Sequence, residues 1–145
     1  MILLDTSILV YAVGVDHPLR DVCRQLIGAI GQGRVTATTT VEVLQEFAHV
    51  RARRRSRADA VSLVEQYAEL LSPLITVDAD DLVRGMREFR EHAQLGAFDA
   101  VLAAVALRRE HIRGLASADA AFSGSSTLVH LNPADDDFLD RVGLA

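Results

Sequence analysis

The chain has 145 residues, half of them hydrophobic, which fits one globular domain with a sizeable core. It has no apolar run of the roughly 18 residues that a membrane span needs and no basic segment before its apolar start, so neither an anchor nor a signal peptide is expected. The net charge of −5 weakly disfavours passive nucleic-acid binding, and the absence of lysine excludes every mechanism that needs one. The single cysteine, Cys23, has no disulfide partner and lies on a helix stripe, which predicts a core position in a reducing, cytoplasmic protein.

Strand and helix patterns alternate along the whole chain. The run Ile2–Leu4 is short, unbroken and apolar, which is typical of a strand buried on both faces of a parallel sheet. The predicted strands are Ile2–Leu4, Arg34–Ala37, Leu74–Val77, Leu115–Ser117 and Thr127–Leu131. A short first helix is predicted to end near Val13. The later predicted helices span about Pro18–Ile30, Thr40–Arg54, Ser56–Leu71, Asp78–His92 and Phe98–Arg109. The alternation predicts an α/β fold in which residues 1–145 form one domain with a parallel sheet covered by helices on both faces.

Several helix starts carry side chains that suit capping. Thr6 or Ser7 follows the first strand and can cap the first helix. The segment Ser56–Asp59 has the spacing of a capping box, and Asp78 with Asp81 is predicted to cap a later helix.

Four acidic residues lie at the edges of apolar elements rather than on polar faces. Asp5 follows the first strand, Glu46 lies in an early apolar helix, Asp99 opens an alanine-rich helix, and Asp119 follows a late strand. Taken singly, each has a plain structural explanation, because aspartates favour the positive end of a helix dipole and Glu46 suits an exposed helix face. Glu42, one helical turn before Glu46, is an alternative to it.

Taken together and in this order, the acidic segments resemble the PIN domain, and most closely the VapC toxin ribonucleases. The resemblance implies a sheet of about five parallel strands with the acids converging at one end. It also implies dependence on Mg²⁺ or Mn²⁺ and cleavage of RNA to 5′-phosphate and 3′-hydroxyl products. A VapB-like antitoxin that blocks the acidic pocket, homodimers and toxin–antitoxin hetero-oligomers follow from the same resemblance. The matching stretches are Leu4–Tyr11, Val43–Phe47, Phe98–Ala104 and Ser117–Phe122.

The chemistry of clustered carboxylates independently favours a metal. Two unit charges about 4 Å apart repel by about 4 kcal/mol at an effective dielectric constant of 20, so such groups must protonate or bind cations. The acids offer only oxygen donors, and the five histidines and Cys23 form no ligand set, so the site suits one or two ions of Mg²⁺ or Mn²⁺ rather than zinc.

The roles expected of these residues differ. Asp5 and Asp99 are expected to ligate the metal directly, and Asp119 directly or through water. Glu46 is expected to bind a metal or orient the attacking water, and its Val-Leu-Gln-Glu-Phe frame favours it over Glu42. The residues expected to support the site are Thr6, Ser117 and Glu42.

Five arginines fall within the seven residues 51–57. They suit either a solvated helix end, where cations interact favourably with the dipole, or a phosphate-binding segment. The second interpretation is supported by position, because Arg53 lies about 10 Å along the helix from Glu46 and, like His49, near the same face. The arginines predicted to bind RNA are Arg51, Arg53, Arg54, Arg55 and Arg57.

Two other α/β phosphoryl-transfer classes are excluded by single residues. A response-receiver site needs a lysine, and the haloacid-dehalogenase pattern needs a second aspartate where Ser7 stands. The remaining alternative is a catalytically silent PIN-like module that binds RNA or protein. The intact acids disfavour it, because a pure RNA binder has no need to concentrate negative charge against phosphate.

Overall fold

The structure is a computed structural model that describes residues 1–144. Within these residues, no helix is both long and apolar enough to cross a bilayer. The strands are β1 (Ile2–Leu4), β2 (Ala37–Thr38), β3 (Gly114–Ala116) and β4 (His130–Leu131). The helices are α1 (Thr6–Val13), α2 (Arg20–Gly31), α3 (Val41–Arg54), α4 (Arg57–Leu70), α5 (Ala79–Glu91), α6 (Ala97–Arg108) and α7 (Phe138–Arg141), with a 3₁₀ helix at Ala120–Gly124.

The four strands form one parallel sheet in the order β2-β1-β3-β4. Successive side chains of a strand point to opposite faces, and all three residues of β1 are fully buried, so both faces of the sheet are covered. The backbone N–H of Asp5 donates to the Ala116 carbonyl at 2.9 Å. The carboxyl ends of β1 and β3 therefore lie side by side at the centre of the sheet, as the predicted α/β architecture requires.

The predicted strand Leu74–Val77 is reduced to a single parallel bridge between Ile75 and Thr40. The Ile75 N–H donates to the Thr39 carbonyl at 2.9 Å, so this segment does run beside β2. It makes no longer ladder because Asp78 caps α5 only three residues later. The sheet thus has four strands and one bridging residue where about five strands were expected.

The helices pack in two groups, α1 to α4 and α5 with α6. Gly85 of α5 lies so close to α6 that a Cβ atom there would come within 2.7 Å of the Val101 Cα, which makes glycine necessary at this crossing. Cys23 is fully buried in α2, and burial raises the pKa of its thiol to about 12. The expected core role of Cys23 is confirmed.

The helix starts correct two details of the predicted caps. Asp5 itself, rather than Thr6 or Ser7, is the N-cap of α1, and its carboxylate accepts from the Ser7 N–H. Ser56 caps α4, but the carboxylate of Asp59 bonds to Arg51 instead of returning to the Ser56 backbone, so the predicted capping box is half formed.

Candidate active site

Asp5 lies where β1 passes into α1 and is buried, with 6% of its surface exposed. Its Oδ2 atom accepts from the Ser117 hydroxyl at 2.7 Å, the Ser7 hydroxyl at 2.8 Å and the Ser7 N–H at 3.4 Å. Within residues 1–144 these bonds all fall on Oδ2. The carboxylate is thereby held in one orientation, and its Oδ1 atom is left available to a ligand.

Ser117 connects Asp5 to the segment that carries Asp119. Its hydroxyl accepts from the Asp119 N–H at 3.0 Å, and the Ser7 hydroxyl accepts from the Ala118 N–H at 3.0 Å. Asp119 is exposed, caps the 3₁₀ helix and accepts from the Ala121 N–H at 2.8 Å. Segments more than 110 residues apart in sequence are thus joined by serine hydroxyls at the carboxyl ends of β1 and β3.

Glu46 approaches the same region from α3. The Thr6 hydroxyl donates to its Oε2 atom at 2.5 Å, across 40 residues of sequence. Glu42 lies elsewhere, in a cleft beside Val101 and Phe98, where its Oε2 atom is buried and makes no hydrogen bond within the described residues. Between these two glutamates, it is Glu46 that bonds to Thr6, the residue after Asp5.

Asp99 completes the group from the first turn of α6, where it is half-buried. Burial raises the pKa of its carboxyl to about 6, with further contributions from the negative charges of Asp5, Asp119 and Glu46. An aspartate in the first turn of a helix ordinarily gains from the dipole, so burial and the neighbouring negative charges together outweigh that gain. The four predicted acids are therefore electrostatic neighbours.

These acids do not form a closed coordination shell. Among residues 1–144, no three acidic, histidine or cysteine side chains come close enough together to enclose a metal ion. Mg²⁺ is usually held by one or two protein carboxylates and keeps several water ligands. An open arrangement that offers only oxygen donors therefore fits Mg²⁺ or Mn²⁺ with water in most coordination positions.

Comparison with known proteins assigns the family. Residues 2–124 match the PIN domain. Ribonuclease VapC7 of Mycobacterium tuberculosis is 49% identical to the chain over 137 residues, which cover 92% of each protein. The chain belongs to the VapC group of PIN-domain proteins. Ribonuclease VapC23 of the same organism is 34% identical over 112 residues, which cover 75% of this chain and 86% of VapC23.

A solved structure supports the same fold. The crystal structure of Mycobacterium tuberculosis VapC20, a toxin that cleaves the sarcin–ricin loop, has a TM-score of 0.71 to this chain. The match covers 88% of this chain and 97% of VapC20. At 18% sequence identity it shows that the two proteins share a PIN fold.

The arginine segment of this VapC-group chain divides between two grooves. The α1–α3 groove has a volume of about 420 Å³ and a mostly apolar lining that includes Val10 and Phe47, together with Arg51, Arg54 and Arg55. The α3–α4 groove has a volume of about 490 Å³. Its lining residues are Ala48, His49, Ala52, Arg53, Arg57, Ala60 and Val61.

Arg51 differs from the other four arginines of residues 51–57 because its guanidinium already bonds to groups of the protein. It forms an ion pair with Asp59 and donates to the Val13 carbonyl at 3.1 Å. Its contacts join α3 to α4 and to the end of α1. The sequence alone did not indicate this, since Asp59 lies on the following helix.

Ser7 is a site residue to which sequence reasoning gave only a capping role. Its hydroxyl contacts Asp5, the Ala118 N–H and, at 3.3 Å, the Ser117 hydroxyl. The Asp-Thr-Ser spacing carried a signal, because an aspartate commonly accepts a hydrogen bond from the residue two positions later. The contact with residue 118 had no local signal, since it depends on β1 and β3 being neighbours.

Proposed function

We propose that the protein is a divalent-metal-dependent endoribonuclease and the toxin of a type II toxin–antitoxin pair. The observation that carries this proposal is the hydrogen-bonded network at the carboxyl ends of β1 and β3, where Ser7 and Ser117 join Asp5 to the segment of Asp119 and Thr6 holds Glu46. The 49% identical relative is itself named a ribonuclease. We also propose that residues 1–145 form a single PIN domain and that the protein acts in the cytoplasm.

Asp5 and Asp99 are proposed to ligate the metal directly and Asp119 directly or through water, with Mg²⁺ or Mn²⁺ as the ion and one or two ions bound. Such an ion supplies an activated water and charge stabilisation for phosphodiester hydrolysis. Asp5 suits direct ligation, because its Oδ2 atom is fixed by hydroxyls while its Oδ1 atom remains available. Glu46, held by Thr6, suits a metal-binding or water-orienting role.

The serine and threonine hydroxyls orient the carboxylates without adding charge. Ser7 and Ser117 donate to Asp5, and Thr6 donates to Glu46. These hydrogen bonds hold the two carboxylates in fixed orientations. We assign no direct role to Glu42.

The RNA backbone is proposed to lie along the α3–α4 groove, with Arg53 and Arg57 on its phosphates and His49 beside them. Arg53 is seven residues after Glu46, which returns it to nearly the same helix face, so a strand held there leads toward the acids. Guanidinium groups bind phosphate through paired hydrogen bonds. Arg51 is left out of the phosphate site because Asp59 already holds it.

The antitoxin is proposed to occupy the α1–α3 groove. Its floor is apolar, and Val15 beside it is 71% exposed, while Arg54 and Arg55 add positive charge to the edge. A VapB-like segment that combines apolar and acidic side chains would match this surface.

A homodimer is proposed to form through α5, because the apolar side chains of this helix face solvent in the monomer. It buries polar or small residues, including Asp81 and Glu88, and leaves large apolar residues in solvent. Such an exposed stripe is typical of an interface. The exposed apolar residues of α5 are Leu82, Val83, Met86 and Phe89. Met86→Glu with Phe89→Glu should convert a dimer to a monomer in sedimentation, and an unchanged sedimentation coefficient would contradict this interface.

The nuclease proposal is tested by RNA cleavage with purified variants. Asp5→Asn, Asp99→Asn and Glu46→Gln should each lower the cleavage rate by at least about 100-fold, or about 2.7 kcal/mol in activation free energy. Asp136→Asn, an exposed carboxylate outside the site, is the matched control. Wild-type-like cleavage by Asp99→Asn, or no metal-dependent cleavage by the wild type, would contradict the proposal and favour a silent binding module.

A further inference from the structure

His130 is a buried histidine that none of the roles above uses. It lies in β4 and is 9% exposed. Its Nδ1 atom is 2.8 Å from the Ser123 hydroxyl, and its Nε2 atom is 2.8 Å from the Ser117 carbonyl oxygen. Both ring nitrogens are therefore engaged. Their partners are the two ends of the segment 117–123, which carries Asp119.

The partners determine the tautomer of the ring. A carbonyl oxygen can only accept, so Nε2 carries the hydrogen and donates to Ser117. In a neutral imidazole Nδ1 is then the acceptor, and the Ser123 hydroxyl donates to it. The two bonds fix the plane of the His130 ring, so the distance between the ends of the segment is fixed as well.

Ser117 is the point at which this arrangement reaches the acids. Its N–H donates to the Leu131 carbonyl at 3.1 Å, so β4 holds both the N–H and the carbonyl of Ser117. Its hydroxyl donates to Asp5 and accepts from the Asp119 N–H. A rotation of the Ser117 backbone would therefore disturb two of the carboxylates at once.

The other end of the segment acts on Asp119 through the 3₁₀ helix. Ser123 belongs to this helix, and its Ala121 N–H donates to the Asp119 carboxylate. Phe122 is fully buried, with its ring centroid 5.9 Å from that of His130. The ring of His130 is thus packed as well as hydrogen-bonded, and it closes the segment around Asp119.

We propose that His130 is a positioning residue, which holds Ser117 and Ser123 so that Asp5 and Asp119 present their free oxygens to the divalent ion. This inference rests on the proposed metal site. It assigns His130 no contact with metal or RNA. Partners that orient metal ligands are commonly worth 10–100-fold in metal affinity or activity when they are removed.

The test is a titration of each full-length variant with Mn²⁺, in which the thermal unfolding midpoint is measured at each Mn²⁺ concentration. His130→Phe keeps the aromatic bulk and removes both hydrogen bonds, so it should raise the half-saturating Mn²⁺ concentration by about 10–100-fold. His130→Gln keeps an amide donor for Ser117 and should stay within about threefold of the wild type. His111→Gln, at an exposed histidine, is the control and should leave the Mn²⁺ concentration unchanged.

The outcomes separate positioning from simple stabilisation. A purely structural role would lower the metal-free unfolding temperature of His130→Phe without changing its half-saturating Mn²⁺ concentration, and that result would overturn the inference. If His130→Phe does not fold, Ser123→Ala provides the test. Ser123 is exposed, so its replacement should leave the fold intact while removing one hydrogen bond to His130. A loss of about two- to fivefold in Mn²⁺ affinity supports the inference, and no loss overturns it.

RNA cleavage measured in parallel distinguishes the two proposals. A wild type that binds Mn²⁺ but does not cut RNA refutes the proposed nuclease while leaving the positioning role of His130 to be judged by Mn²⁺ affinity. A wild type that binds Mn²⁺ and cuts RNA, together with a folded His130→Phe of equal Mn²⁺ affinity, refutes only the role of His130.

Discussion

The two ends of α6 carry carboxylate clusters with opposite surroundings. At its start, Asp99 faces other acids and no arginine contacts it within residues 1–144. At its end, Arg108 and the following Arg109 bind Asp81 of α5, whose side chain is fully buried. Burial raises the pKa of both aspartates, but at Asp81 the hydrogen bonds from Arg109, the Asp78 N–H and Arg108 outweigh it and hold the pKa well below its usual range.

The difference separates an acid that stabilises the fold from one that we propose binds the metal. Arg109 bonds to both carboxylate oxygens of Asp81 at 2.7 Å, so the charge of Asp81 is satisfied inside the protein. Asp99 is half-buried, and the charges among residues 1–144 that shift its pKa are negative, so its ionised form costs stability until a cation arrives. Asp81, which is paired with arginines, stabilises the fold. Asp99, which lies among other acids, is a candidate metal ligand.

The largest effect on stability is expected at the paired end. Asp81→Asn leaves two arginines without their shared carboxylate and should lower the free energy of unfolding by about 3 kcal/mol, because a buried pair has been broken. Urea denaturation measures this loss. Asp80→Asn, at a largely exposed carboxylate 3.5 Å from Arg108, should change stability by less than about 0.5 kcal/mol. Equal losses in the two variants would show that burial does not determine the strength of these pairs.

An opposite effect is expected at the acidic end. Without metal at pH 7.5, Asp99→Asn should raise the free energy of unfolding by about 1–2 kcal/mol, a value reduced for partial exposure, because it removes a charge that is half-buried and lies among like charges. Thermal unfolding in a chelating buffer measures the gain. Asp136→Asn should show no such gain. A less stable Asp99→Asn at this pH would mean that the acids do not repel one another.

The gain should depend on pH in a defined direction. The pKa of Asp99 is about 6 in the folded chain and about 3.9 when unfolded, so the folded state binds more protons between these values. The contribution of Asp99 to stability is therefore greatest below about pH 4 and is lost as the pH rises through 6. The stability difference between Asp99→Asn and the wild type should grow over this range and then level off. A difference that is constant with pH would contradict the raised pKa.

The smallest effect is expected in the α3–α4 groove. Arg53→Gln with Arg57→Gln should weaken RNA binding and make the slope of log affinity against log salt less negative by about 1.4, since two phosphate contacts are lost. Fluorescence anisotropy on an uncleaved RNA in the Asp5→Asn background measures both. Arg34→Gln, at an exposed arginine whose guanidinium bonds to Gln32, is the control. An unchanged salt slope would remove these arginines from the RNA site.

Features that depend on neighbours in sequence were the ones most accurately predicted. The apolar run of β1 and the reciprocal cap of Asp78 and Asp81 are both local, and the structure contains both. The strand expected at Leu74–Val77 failed because a favourable composition does not ensure room for a ladder before the next helix. The ordered set of acids was sufficient to identify the PIN family.

Contacts across the fold were beyond sequence reasoning. The choice of Asp59 as partner for Arg51 depends on how α3 and α4 pack. The contact of Ser7 with residue 118 and that of His130 with Ser117 depend on the strand order β1-β3-β4. The sequence frame favoured Glu46 over Glu42, but the contact of Glu46 with Thr6 and the place of Glu42 beside Phe98 and Val101 depend on the packing of α3.

The most direct test of the opposite roles of the two clusters is calorimetric titration of Mn²⁺ into the metal-free protein at pH 7.5. Asp5, Asp99 and Asp119 should give saturable binding in the wild type that is lost in Asp5→Asn and Asp99→Asn. The same binding should be retained in Asp80→Asn, whose carboxylate lies at the arginine-paired end of α6. Equal Mn²⁺ affinity in the wild type and Asp99→Asn would contradict the claim that the unpaired acids form the metal site.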